Sequence, residues 1–256
     1  MESAAKGSSS NGREPHNQLA GENPVQRRIV GYKIPWPMIS SRDLTALPTI
    51  EKLKKLTQSL AMLDAIIMRE WDYRYYSFNC KWAEGEQMAA MRNGEGDGWY
   101  CCFGLPGAFL KGFDHESEMS PWSMETHRVW PGVLDDVPED FKTFAMEPAF
   151  SMEDTTFCVW RGMRDAQWST GKISYPDGDD PDGSGWMLSV LDGNPTTYKA
   201  WAEDYYERSV SLSAVREIYE HMPLTQELAQ ELNATVKLET LLADAAEIDY
   251  PVAKSR

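Results

Sequence analysis

The hydrophobic period of this chain changes at Trp71, and that switch limits the architectures open to it. Upstream, Leu53, Leu56, Leu60, Leu63 and Ile67 recur at steps of three and four, the spacing of one helix face. Downstream, Tyr76, Phe78, Cys80 and Trp82 alternate with Tyr75, Ser77, Asn79 and Lys81, the spacing of a strand with one buried face. A helix therefore hands over directly to β structure. Thr49 after Pro48 is the expected N-cap, with Glu51 in the first turn. Lys52, Lys54 and Lys55 stand at the end of the helix dipole that repels cations, so this helix depends on packing rather than on its own ends.

Further along, Asn93-Gly94 and Asp97-Gly98 are turn signals, and Trp99-Tyr100-Cys101-Cys102-Phe103 is β-rich. Leu105-Pro106-Gly107 reads as a type II turn with glycine where φ > 0 is needed, and 108–113 as the return strand of a hairpin. Segments 155–161, 167–173 and 186–191 are three more strand candidates. Asn194 as N-cap and Pro195 at the first helical position open a helical C-terminal third. There Tyr198, Trp201, Ala202 and Tyr205 share a face, and Leu238, Leu241, Leu242, Ala245 and Ile248 share another. The expected fold is α+β: one antiparallel sheet of about five or six strands, an N-terminal helix and a C-terminal helical segment, in a single domain over 49–256. Residues 1–28 hold too little apolar material to fold and are expected to be a disordered arm, while 29–48, with Tyr32-Lys33-Ile34-Pro35-Trp36-Pro37, reads as an extended segment packing on the body.

Charge narrows the function. The 256 residues carry a formal net charge of −15, and residues 49–256, with 19 basic and 36 acidic side chains, carry −17. Such a surface is wrong for a general phosphate-backbone binder, so no nucleic-acid partner is expected. No apolar stretch approaches the roughly 20 residues of a membrane span, and the first ten residues lack the apolar core of a secretory signal, so a soluble cytoplasmic protein without a membrane partner is expected. Four cysteines, Cys80, Cys101, Cys102 and Cys158, form no disulfide or zinc spacing; adjacent Cys101 and Cys102 point to opposite faces of a strand and read as buried thiols.

Chemistry concentrates in two phrases. Asp114-His115-Glu116 sets an acid, a base and a second acid on a loop after the return strand, with His127, Glu147 or Asp154 as groups the fold would have to bring close for a metal site. Asp180, Asp182 and Ser184, followed by Gly185, match positions one, three, five and six of a calcium loop, but Leu191 replaces the bidentate acid at position twelve. The same Asp and Gly residues suit a tight exposed turn. There is no nucleophile elbow, and the acids within Gly94-Glu95-Gly96-Asp97-Gly98 would repel a phosphate, so that phrase reads as a mobile turn and no cofactor is expected. Trp122 and Trp130 lie in a proline- and glycine-punctuated region, 116–138, and are the aromatic side chains best placed for semi-exposed binding contacts.

Val137-Pro138-Glu139-Asp140-Phe141-Lys142-Thr143-Phe144 resembles the proline-acid-aromatic helix phrase of SMI1/KNR4-type immunity proteins, a likeness of eight residues that implies a binding role. Two functions are expected from the chain. The first is a non-catalytic module whose acidic, aromatic surface captures a basic protein partner, in the manner of an antitoxin or immunity protein. The second is a metal-assisted hydrolase or glycan-acting enzyme centred on Asp114, His115 and Glu116.

Overall fold

The computed structural model describes residues 39–254; the expectations for 1–28 and 29–38 lie outside the described residues. Helix α1 (Ile50–Ile67) starts at Thr49, whose side chain makes no capping bond. Its burial exceeds the single core face read from sequence, since every residue from Leu56 to Ile67 is buried. From Leu56 onward the helix lies between the sheet and the C-terminal helices, so neither side meets solvent there. Its polar residues are consequently bonded: Gln58 Nε2 donates to the Ile248 carbonyl and Ser59 Oγ to the Ile218 carbonyl, both at 2.9 Å.

Six strands follow in one antiparallel sheet whose spatial order is the chain order: β1 (Tyr76–Ala83), β2 (Glu86–Arg92), β3 (Gly98–Gly104), β4 (Gly107–Phe113), β5 (Phe157–Gly162) and β6 (Ser169–Thr170). Strand β2 escapes the alternation test because Met88, Ala89, Ala90 and Met91 are all buried, as befits an inner strand covered on both faces. One face, with Phe78, Ala89, Trp99, Cys101 and Leu110, packs on the helices. The other, with Met88, Cys102, Phe109 and Trp160, is covered by Phe141, Phe144 and Phe150 of the long β4–β5 connection. Cys101 and Cys102 therefore do belong to opposite cores, as free buried thiols.

Three local readings are corrected. The β3–β4 loop is the pair Leu105-Pro106, and Gly107 already belongs to β4; its φ of +144° and a Cβ position 2.1 Å from the Arg161 carbonyl oxygen explain the glycine. Segment 186–191 is helical, divided between α3 (Ser184–Leu188) and a 3-10 turn (Ser189–Asp192). Its apolar run is too short to distinguish strand from helix, and the preceding acids decide the matter by capping the first turn. Of 167–173 only Ser169–Thr170 pairs as strand.

The C-terminal helices are α4 (Pro195–Tyr205), α5 (Leu212–Tyr219), α6 (Gln226–Leu232) and α7 (Leu242–Ile248), and a single turn, α2 (Lys142–Ala145), lies in the β4–β5 connection. Asn194, Ser211 and Thr225 each cap a helix through the side chain. None of the helices among the described residues is long and apolar enough to cross a membrane.

At the centre of the helical layer, Asp64 is fully buried and accepts the N–H groups of Tyr75 at 2.9 Å and Tyr76 at 2.7 Å, and the Tyr198 hydroxyl at 2.9 Å. Burial pushes its carboxyl up to about 6 despite these donors. Among the described residues, the buried Tyr219 hydroxyl has no hydrogen-bond partner. Removing an unsatisfied buried hydroxyl lifts a desolvation cost, so Tyr219→Phe is expected to leave stability unchanged or to raise it by up to about 1 kcal/mol in urea unfolding. A loss of stability would mean that the hydroxyl is satisfied.

Candidate functional site

Pairing of β3 with β4 sets Gly98 opposite Phe113, and so brings the residue before Gly98 beside the residue after Phe113. Those residues are Asp97 and Asp114, both buried. His115 lies at the surface and turns back onto Asp97: its ring Nδ1 is 2.6 Å, and its backbone N–H 2.8 Å, from Asp97 Oδ1. This hydrogen bond raises the imidazole pKa above its ordinary value. Asn93 Nδ2 donates to the other Asp97 oxygen at 2.7 Å. Asp114 accepts the Glu116 N–H at 3.0 Å and the Trp186 indole N–H at 2.9 Å. Ligand atoms of Asp97, Asp114 and His115 all lie within 4.8 Å of one another.

The two polar phrases of the sequence meet here. Ser117 Oγ donates to the Pro181 carbonyl at 2.6 Å, and Thr156 Oγ1, which accepts the Asp114 N–H, donates to the Asp182 carbonyl at 2.7 Å. Glu116, however, points outward and is exposed, so the predicted trio does not converge as a unit. Asp180 accepts the N–H groups of Gly185 and Trp186, at 2.8 and 3.0 Å, which is the work of a helix cap. Burial raises its carboxyl to about 6, with the Asp182 and Asp114 charges adding to the shift. Asp182 takes the Ser184 N–H and hydroxyl on one oxygen and the Ser41 hydroxyl on the other. Asp180, Asp182 and Ser184 are thus turned toward the α3 start rather than toward a common centre.

A second constellation lies on the β4–β5 connection. Lys111 is buried on β4 and donates to the carbonyls of Ser151 at 3.3 Å and Asp154 at 2.7 Å, and burial lowers its pKa to about 8. The segment so pinned presents Asp154, whose Oδ1 accepts the Trp122 indole N–H at 2.8 Å and contacts His127 Nε2 at 2.9 Å. Trp122 and His127 rings meet edge to face at 4.5 Å between centroids, yet Trp122 is 69% exposed. Exposed Glu116, Glu118 and Glu125 share the segment of Trp122, and exposed Glu153 precedes Asp154. Trp130 differs, for its indole donates to the Ser174 carbonyl at 3.1 Å and its ring packs half-buried against the second core. Glu147 accepts the Ala149 N–H at the start of a 3-10 turn.

Sequence reasoning passed over Asp97, which it read within a mobile glycine turn. The signal was present in the hairpin register, because fixing the two-residue loop at Leu105-Pro106 places Asp97 next to Asp114. Comparison of the chain with protein-family models, with curated proteins and with solved structures gave no match.

Proposed function

We propose that the protein is a binding module that captures a basic protein partner, with Trp122 as the anchor and the surrounding carboxylates as the rim. The observation that carries this reading is the combination of exposure and fixation at Trp122. An indole 69% exposed would ordinarily sample several rotamers, but Asp154 and His127 hold this one in place. Ordering entropy is thereby removed before binding, which favours an anchor residue. A guanidinium or ammonium group laid on the indole face would meet acidic neighbours, and the −17 on residues 49–256 would steer it there. The hydrolase alternative draws on a different observation, the His115–Asp97 contact.

The test is titration of the full chain with an arginine-rich model peptide at low and high salt, read by calorimetry. Trp122→Ala is expected to weaken binding at least tenfold, while raising the salt weakens the parent protein. Equal affinities for parent and variant would remove Trp122 as the anchor, and salt-independent binding would remove the steering.

A further inference from the structure

We propose that Asp97, Asp114 and His115 bind a divalent transition-metal ion, a site independent of the Trp122 surface. The three side chains come from the ends of β2–β3 and β4, brought together by the Gly98–Phe113 pairing, and their ligand atoms converge within 4.8 Å. Two oxygen donors and one imidazole nitrogen suit zinc, manganese or iron(II), whereas calcium takes six to eight oxygens.

Groups outside the ligand set hold the ligands. Asn93 Nδ2 donates to Asp97 Oδ2, and the Trp186 indole N–H to Asp114 Oδ2. Metal-ligating carboxylates are oriented in this way by hydrogen bonds from the surrounding shell. Gly183 closes the inner wall: a Cβ there would lie 2.3 Å from Asp114 Oδ2, so the backbone packs directly against the carboxylate. Two carboxylates balance a dication. On loading, the ion takes the place of the Nδ1 proton of His115; a protonated imidazole releases that proton to solvent and a neutral one moves it to Nε2, so the ligand is neutral imidazole with its proton on Nε2, and the two donors open from 2.6 Å to about 3.3 Å, the separation expected for tetrahedral zinc ligands. His115 lies at the surface, so the site can be reached from solvent on that side.

The experiment is calorimetric titration of the full chain with zinc chloride, repeated with manganese chloride, on the parent and on Asp97→Asn, His115→Ala and Asp179→Asn. Asp179 is an exposed acid of the aspartate-rich loop outside the ligand set. One zinc per chain is expected, with affinity reduced at least tenfold in Asp97→Asn and His115→Ala and unchanged in Asp179→Asn. Thermal melts report folding; if Asp97→Asn is unfolded, the surface variant His115→Ala decides. The proposal is overturned by no one-to-one uptake at millimolar zinc, by parent-like affinity in His115→Ala, or by an equal loss in Asp179→Asn.

Discussion

Asp64→Ala is expected to lower stability by about 4 kcal/mol at neutral pH, because it strips the acceptor from two buried N–H groups and a buried hydroxyl. The Tyr75 and Tyr76 N–H groups both bond Asp64 Oδ2, which ties the entry of β1 to the helix beneath it. Asp64→Asn is expected to behave in the opposite way. Its amide oxygen still accepts both N–H groups, its NH₂ reaches the Tyr198 oxygen, and the buried charge is gone. Burial pushes the folded carboxyl up to about 6, against 3.8 for a solvated aspartate. Between these values the native state binds the proton more tightly than the unfolded chain does. The contribution is therefore full below the unfolded value and lost as pH rises through the folded one, a span worth about 3 kcal/mol. Urea midpoints measured from pH 4 to 8 should show Asp64→Asn gaining on the parent as pH rises. A constant difference across that range would show that Asp64 does not titrate as a buried acid.

Asp64 also shows where sequence reading stops. On the helical wheel it lies one residue after Leu63, and an acid in that place looks solvated, because nothing in the local spacing announces that a second helical layer covers the far side. The helix, the hairpin and the helical C-terminal third were legible, since each is written in local periodicity and punctuation: Leu53 to Ile67, Trp99 to Phe113, Asn194-Pro195. Strand β2 was not, because a strand covered on both faces loses its alternation. The same limit applied at the site. Asp114, His115 and Trp122 stood out by residue type, but Asp97 becomes a neighbour only through cross-strand register, and Asp154 only because a buried lysine holds its segment. The aspartate-rich loop was legible in composition and ambiguous in role; which backbone N–H groups its carboxylates meet depends on α3 forming there.

Gly183→Ala is expected to cost about 3 kcal/mol, from the sum of a left-handed backbone and an overpacked neighbour. Gly183 sits at φ +75°, and its Cβ would fall 2.3 Å from Asp114 Oδ2 and 2.6 Å from Asp114 Cβ. Gly193 separates the two contributions. Its φ is +73° and nothing lies within 4 Å of its Cβ position, so Gly193→Ala carries the backbone strain alone, about 1 kcal/mol. The surplus in Gly183→Ala measures the push on Asp114. That push also displaces Asp114 from the Trp186 indole N–H, so the variant should show altered tryptophan emission and, on the metal-site proposal, weaker zinc uptake than Gly193→Ala. Equal losses of stability in the two variants would mean that the backbone yields and leaves Asp114 where it is.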